Sequence, residues 1–278
     1  MQYRKVKNQI IIENVKSFDL DETFECGQCF RWNKINNKEY IGVVKDKVLK
    51  IEKIANKIIL KDTKMEDFKS FWLDYFDLNL NYDEIKLELS KINVTLKNAC
   101  NFAPGIRILK QEPWETLCSF IISQNNNIPR IKGIIERLCQ KYGNHLFGNF
   151  YMFPEAKVIA KLNLEDLAFL RCGFRDKYIL DAAKKVTNGD INLDLISDMP
   201  IEKARLELMK INGVGKKVAE CVLLYGMHRL EAFPEDVWIK KAMEKLFPKY
   251  DSYKFGKFAG IAQQYIYHYT RMNKDLLN

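Results

Sequence analysis

Long apolar runs are missing from this 278-residue chain, although 47% of its residues are hydrophobic. The longest runs, such as the one around residues 117–122, are much shorter than the ~20 apolar residues that a membrane-spanning helix needs. The first residues, MQYRKVKNQI, also lack the apolar stretch of a secretory signal peptide. We therefore expect a soluble, intracellular monomer with no membrane partner.

A complete metal-binding pattern is also missing. Cys26 and Cys29 have a metal-like spacing, but no second Cys-x-x-Cys and no His pair completes a tetrahedral zinc site. An odd number of cysteines, seven, in an intracellular chain indicates reduced, buried thiols. Repeats, heptads and low-complexity tracts are lacking as well, which argues against a solenoid or a coiled coil.

Positive charge is in excess, since 45 Lys and Arg residues against 36 Asp and Glu give a formal net charge of +9. This excess favours a polyanionic partner or surface. The length predicts about two domains, each large enough to bury a core.

Hydrophobic periodicity predicts an α+β fold. Short β-branched or aromatic runs separated by turn residues indicate an N-terminal antiparallel sheet, with strands at 9–13, 29–33, 39–45, 47–53 and 57–61. Helical spacing starts at Met65, and beyond Gly105 nearly every segment fits a helix. We expect a sheet domain with some helix at 1–108 and an all-helical domain at 109–278. The predicted helices are at 65–77, 82–89, 112–123, 128–142, 154–161, 163–172, 175–187, 201–210, 216–225, 236–246 and 252–269.

Two glycines interrupt the helical pattern at 208–221. Gly213 and Gly215 let the backbone turn sharply, so we predict a helix-hairpin-helix. The unpaired N–H groups at the start of the second helix would bind a phosphate well. The alternative is an ordinary turn between helices, because short Gly motifs often match by chance.

Two ionisable residues near the hairpin could carry chemistry. Lys217 lies in the first turn of the second predicted helix beside Lys216, where the helix dipole and the like charge both disfavour the ammonium form. A neutral lysine is a nucleophile. Asp236 follows in the Pro-Glu-Asp-Val segment 234–237. Its alternative role is only to cap the next helix.

The hairpin, the lysine and the Pro-x-Asp, in this order, resemble the lysine-bearing branch of the helix-hairpin-helix DNA glycosylase superfamily. Further matches over almost the whole chain are similar to 8-oxoguanine DNA glycosylases. They are GQCFRW at 27–32, GIRILKQEP at 105–113, SQNNNIPRI at 123–131, GFR at 173–175 and GIAQQYIY at 260–267.

The resemblance implies a bifunctional DNA glycosylase and AP lyase of base excision repair. Its partner would be duplex DNA containing oxidised guanine, preferably opposite cytosine, with the target nucleotide flipped out of the stack. Lys217 would attack C1′ of the sugar, form a Schiff base and nick the strand by β-elimination. Asp236 would stabilise the cationic charge on the sugar and help to set the protonation of the lysine.

For base recognition, the resemblance places Tyr267 and Cys221 on the two faces of the flipped purine. Gln263 would pair with the Watson–Crick edge. The Gly27 carbonyl would accept the N7–H that oxidised guanine has and guanine lacks. On pattern alone, Gln263 and Tyr267 could instead belong to an ordinary amphipathic helix at 256–269.

The resemblance also implies residues that fill the gap left by the flipped base. Asn125, Arg130 and Arg175 would lie near the opposite cytosine, and Phe174 would be the wedge in the stack. The alternative for both arginines is a solvated surface charge.

No organic cofactor or catalytic metal is implied. The N–H groups of Gly213, Gly215 and Val218 would contact a DNA phosphate. The backbone carbonyls of 210–214 could hold a structural monovalent cation.

Two positions depart from the commonest family pattern. Trp238 stands where the family often has His, and Thr270 stands where it commonly has the Asp partner of that His. The changes look paired, one set of contacts replacing another. Trp238 could instead be a packing residue only.

Other members of the superfamily fit less well. Iron-sulfur glycosylases place four cysteines after the catalytic Asp, and this chain has none beyond Cys221. Alkylpurine glycosylases lack the hairpin lysine. The alternatives left open are a non-enzymatic helix-hairpin-helix DNA-binding module and a glycosylase for a different damaged base.

Overall fold

The computed structural model describes residues 2–277, apart from the side chain of Tyr253, and has the predicted α+β architecture. Six strands form one antiparallel sheet in the order β1-β2-β6-β5-β4-β3, and two form a small hairpin. The strands are β1 Gln2–Val6, β2 Gln9–Glu13, β3 Trp32–Asn36, β4 Glu39–Val44, β5 Lys47–Ile54, β6 Lys57–Lys61, β7 His145–Phe147 and β8 Phe150–Tyr151.

Helices follow and flank the sheet. No helix among residues 2–277 is long and apolar enough to cross a membrane. The helices are α1 Leu20–Phe24, α2 Met65–Asp67, α3 Leu73–Tyr75, α4 Tyr82–Ser90, α5 Val94–Phe102, α6 Pro113–Ser123, α7 Ile128–Tyr142, α8 Ala156–Ile159, α9 Leu164–Leu167, α10 Arg175–Asn188, α11 Leu193–Ser197, α12 Ile201–Leu208, α13 Lys216–Cys221, α14 Val237–Leu246 and α15 Ala259–Met272. Phe68–Trp72 and Val222–Gly226 are π-helical, and Ala168–Leu170, Ser252–Phe258 and Lys274–Leu277 are 3-10 helices.

Alternation of side chains fixes which face of the sheet is buried. In β2, Ile10 and Ile12 are fully buried, while Ile11 between them is only partly so. In β6, Ile58 and Leu60 are buried in the same way, and Leu60 lies opposite Ile10 in the register. A shift of one residue would move these side chains to the other face, so the apolar pattern specifies the register.

The chain packs as two compact units, and each is built from segments that are separate in the sequence. The domains 1–108 and 109–278 were instead predicted as two continuous stretches. The first unit contains the residues up to Ile41, Leu49–Lys110 and the segment from Leu230 onward, and therefore includes α14 and α15. The second contains Gly42–Val48 and Gln111–Arg229, and therefore the hairpin between α12 and α13.

Some elements differ from their predicted bounds. The strand predicted at 29–33 begins only at Trp32, because Gly27 takes a positive φ of 85° and the buried Gln28 is tied to neighbouring backbone. Strand β1 was missed, since none of its side chains is fully buried and its sequence carries no apolar alternation. The helix predicted at 216–225 widens into a π-helix after Cys221.

Candidate active site

The predicted helix-hairpin-helix is present in the second unit, where α12 and α13 flank the turn. Gly213 has a φ of +77°, and a Cβ built on it would lie 2.3 Å from the Tyr178 ring. Gly215 is the extended N-cap of α13 and has open space around it. Glycine is therefore required at position 213 by both backbone conformation and close approach.

Side chains of α10 hold this turn in place. Asp181 accepts two hydrogen bonds from Asn212, one from its backbone N–H at 2.8 Å and one from its side-chain amide at 3.0 Å. Lys185 donates to the Lys210 carbonyl at 2.7 Å. That carbonyl was one of the expected ligands of a monovalent cation, and the Lys185 ammonium already places a positive charge beside it. The cation site at the hairpin stays a prediction, with a poor fit at Lys210.

Lys217 lies in the first turn of α13 and is half-buried. Its Nζ lies 5.1 Å from the centroid of the Phe120 ring, which belongs to α6. The first helical hydrogen bond of α13 runs from the Ala219 N–H to the Gly215 carbonyl, so the Val218 N–H precedes the helical ladder. Cys221 ends the helix and is 2% exposed.

Asp236 caps α14 in the first unit. Its Oδ1 accepts a hydrogen bond from the Ile239 N–H at 2.7 Å, which confirms the capping interpretation. The cap also fixes the carboxylate, because its position is coupled to the helix backbone. A structural role and a chemical role are therefore compatible here.

Helix α15 places Gln263 and Tyr267 one turn apart. Gln263 is 4% exposed, and Tyr267 is half-buried. A Cβ built on Gly27 would lie 3.8 Å from Cε1 of Tyr267, so the Gly27 backbone packs directly beside that ring. Three of the predicted base-contacting residues, Gly27, Gln263 and Tyr267, thus belong to the first unit, and Cys221 belongs to the second.

Two buried glutamines hold the backbone around Gly27. Gln28 is fully buried, and its amide donates to the carbonyls of Thr23 and Arg107 and accepts from the Leu109 N–H. Gln264 is 1% exposed and donates to the Cys26 carbonyl at 2.9 Å. Neither role was predicted, although both residues lie in the quoted motifs.

Burial also settles the chemistry of Cys26. It raises the pKa of the Cys26 thiol to about 12, so the thiol stays neutral near neutral pH. The thiol is not an activated nucleophile, which agrees with the expectation that the cysteines are reduced and buried.

Within the 123–131 segment of the second unit, residues 124–127 form the loop between α6 and α7. Asn125 is exposed and has a left-handed φ of +46°. Asn127 is the N-cap of α7, since its side chain accepts from the Arg130 N–H at 3.0 Å. Arg130 is exposed, and its Nη2 donates to the Arg171 carbonyl at 3.0 Å.

Arg175 is not a solvated surface charge, so that interpretation was wrong. The residue is 4% exposed, and its guanidinium donates to the backbone carbonyls of Gln124, Asn125 and Cys172. It therefore ties the loop before α7 to the start of α10. Its neighbour Phe174 is 49% exposed, and its role as a wedge stays a prediction.

Comparison with known proteins identifies two family models that together match residues 10–254. A family model described as 8-oxoguanine DNA glycosylase, N-terminal domain, matches residues 10–117. A second, described as HhH-GPD superfamily base excision DNA repair protein, matches residues 118–254. An N-glycosylase/DNA lyase of Saccharomyces cerevisiae is 31% identical over 84% of this chain and 69% of its own length. The chain belongs to the 8-oxoguanine DNA glycosylase family.

Solved structures of this family agree with the fold. The 8-oxoguanine glycosylase/lyase of Clostridium acetobutylicum, solved with duplex DNA containing cytosine opposite 8-oxoguanine, is 39% identical. It superposes with a TM-score of 0.92 and covers 99% of both chains. A structure described as MBOgg1 with a low-affinity DNA ligand is 43% identical, with a TM-score of 0.93, and covers 99% of this chain and 100% of the other. As a member of the glycosylase family, the protein is a base excision DNA repair enzyme.

In this glycosylase, Trp238 and Thr270, the two positions that the resemblance set apart, are in contact. The Trp238 indole N–H donates to the Thr270 hydroxyl at 2.8 Å. The hydroxyl in turn donates to the Ile266 carbonyl, and the Arg271 guanidinium lies 5.2 Å from the Trp238 ring centroid. One hydrogen bond therefore joins the two positions, and the pairing of the two changes stays a prediction.

Proposed function

We propose that the protein is a bifunctional glycosylase and AP lyase that excises 8-oxoguanine from duplex DNA. The observation that carries the proposal is the agreement over 99% of both chains with the 8-oxoguanine glycosylase/lyase of Clostridium acetobutylicum. The half-buried Lys217, at the start of the helix after the glycine hairpin, supports it independently. A non-enzymatic hairpin module needs no such lysine.

The covalent step uses the lone pair of the Lys217 amine. The amine forms a bond to C1′, and the C1′–N9 bond breaks with its electron pair on the departing base. Loss of a proton from nitrogen and opening of the C1′–O4′ bond, with protonation of O4′, give a cationic iminium. Removal of a C2′ proton then expels the 3′ phosphate and nicks the strand.

Asp236 is the group that meets positive charge on the sugar. A carboxylate stabilises a developing cation best when it need not reorganise during the reaction. The hydrogen bond from the Ile239 N–H holds one carboxylate oxygen in place. We propose that Asp236 acts together with Lys217, and that substitution of either stops base release.

The oxidised base is recognised through backbone as much as through side chains. The Gly27 carbonyl accepts N7–H of 8-oxoguanine, and Gln28 and Gln264 hold the flanking backbone at a fixed place. Because N7 of guanine has no hydrogen, guanine would leave this carbonyl unpaired. Tyr267 and Cys221 stack on the base, and Gln263 pairs with its Watson–Crick edge.

Four residues of the second unit act around the orphaned cytosine. Asn125 and Arg130 are exposed and can contact it, and the exposed Phe174 ring fills the stack. Arg175 contributes by holding the carbonyls of residues 124 and 125, which fixes the loop that carries Asn125. The N–H groups of Gly213, Gly215 and Val218 bind a phosphate of the DNA.

Borohydride trapping tests the proposal on duplexes with one 8-oxoguanine opposite each of the four bases. Borohydride reduces the iminium to a stable amine, so only a Schiff-base enzyme becomes linked to DNA. We expect trapping to be greatest opposite cytosine, by about 10-fold, since a matched base contact is worth about 1–3 kcal/mol. Trapping only on an abasic duplex would overturn the substrate, and no trapping on any duplex would overturn the lyase.

Gln263→Ala separates base recognition from the later chemistry. We expect release of 8-oxoguanine to fall about 10–100-fold, because the base edge loses its hydrogen-bond partner. Nicking of a preformed abasic site should change less than about threefold on the same reasoning. Single-turnover rates on the two substrates measure the split, and thermal unfolding controls for the loss of a buried amide. Equal losses on both substrates would remove Gln263 from base recognition.

A further inference from the structure

An aromatic pair lies beneath the nucleophile in the second unit. Phe120 of α6 is 4% exposed, and its ring centroid lies 5.1 Å from Nζ of Lys217. The Tyr225 ring stacks on Phe120, with centroids 5.3 Å apart and an angle of 16° between planes. We propose that the π face of Phe120 stabilises the cationic iminium that forms on the Lys217 nitrogen.

Local backbone geometry places this pair. Helix α13 widens into the π-helix Val222–Gly226, which carries Tyr225. The π-helix packs closely on α6, since a Cβ on Gly226 would lie 3.1 Å from atoms of Pro113 and Thr116. Single-turn π segments inside α-helices occur frequently at functional sites. The close approach at Gly226 and the widened turn together place the Tyr225 ring against Phe120. The Phe120 ring in turn lies beside Nζ of Lys217.

The electrostatics of the ring distinguish two stages of the reaction. An aromatic face attracts a cation, and the attraction strengthens when water is excluded. The attacking amine is neutral, so the ring gives it no such assistance. The iminium produced by attack is a cation on the same nitrogen and gains from the ring. The inference rests on the proposed Schiff base, and it assigns Phe120 to the steps after base release.

We therefore expect loss of the Phe120 ring to reduce borohydride trapping and strand nicking more than it reduces base release. Phe120→Leu keeps an apolar side chain but removes the π face. We expect the borohydride-trapped fraction and strand nicking to fall about 3- to 10-fold, which is the range of a cation–π contact at a partly buried site. Base release, measured by cleavage of the abasic product with hot alkali, should change less than about twofold.

A fluorinated phenylalanine series at position 120 tests the same point without changing the shape of the side chain. Each added fluorine weakens the negative potential of the ring face, so the trapped fraction should fall stepwise from one to five fluorines. This series remains informative if Phe120→Leu fails to fold. A steric role for the ring would leave the trapped fraction unchanged along the series.

The matched control is another cation–π pair in the same unit. Nζ of Lys141 lies 4.1 Å from the Phe169 ring centroid, outside the proposed machinery. Phe169→Leu should leave trapping and base release unchanged. A trapped fraction that stays constant along the fluorinated series, or that falls in parallel with base release, would overturn the inference. Failure of the unmodified protein to be trapped at all would instead overturn the proposed Schiff base.

Discussion

Lys217→Gln is expected to abolish borohydride trapping while the protein still binds duplex DNA. The substitution removes the nucleophilic amine, and loss of a covalent nucleophile typically costs more than about 10³-fold in rate. Glutamine is of similar length, so the half-buried site stays filled. The variant loses one cation–π contact with Phe120, which predicts a change in the free energy of unfolding of about 1 kcal/mol or less. Trapping and fluorescence anisotropy on the same abasic duplex measure the two quantities.

Lys216→Gln is the matched control, because Lys216 is the preceding residue in the same helical turn and is exposed. It removes the same charge from the same turn but leaves the proposed nucleophile. At saturating protein, Lys216→Gln should be trapped like the unmodified enzyme. Trapping that survives Lys217→Gln would assign the covalent step to another amine. Loss of duplex binding together with trapping would give Lys217 a docking role.

Elements with a strong local signal could be predicted from the sequence. Strands β2 and β6 and helix α7 have the bounds that were predicted, because short β-branched runs between polar residues define the strands and helical spacing of apolar residues defines the helix. The bend at residues 26–31 could not be predicted, since it depends on Gln28 bonding to the distant Arg107 carbonyl. Such a contact leaves no trace in the local pattern.

The hairpin turn and the Asp236 cap could be predicted from the sequence, but the contacts that hold the surrounding residues could not. The hairpin and Asp236 follow from turn and capping chemistry, and both are present. Arg175 looks like any surface arginine in the sequence, and only the fold brings three backbone carbonyls around its guanidinium. Phe120 lies in an apolar run in which no position is distinguished until the fold sets it against Lys217.

Gly213→Ala should destabilise the second unit more than any other hairpin substitution. The residue has a φ of +77°, and its new Cβ would lie 2.3–2.5 Å from three carbons of the Tyr178 ring. Left-handed backbone costs about 1–2 kcal/mol for alanine, and overpacking adds about 1–3 kcal/mol. We therefore expect a loss of about 2–5 kcal/mol in the free energy of unfolding, measured by urea denaturation. Duplex affinity should fall as well, because the turn positions the N–H groups proposed to hold a phosphate.

Gly189 and Gly215 are controls that separate the backbone strain at position 213 from the clash with the Tyr178 ring. Gly189, the C-cap of α10, has a similar φ of +82° but open space around it, so Gly189→Ala should cost only the backbone strain. Gly215 has an extended φ of −92° and open space, so Gly215→Ala should cost only the poorer N-cap, about 0.5–1 kcal/mol. If Gly213→Ala were no worse than Gly189→Ala, the ring of Tyr178 would have to move aside freely. The Tyr178 ring would then contribute little to the shape of the hairpin, which would depend on its backbone conformation and on the hydrogen bonds of Asp181 and Lys185.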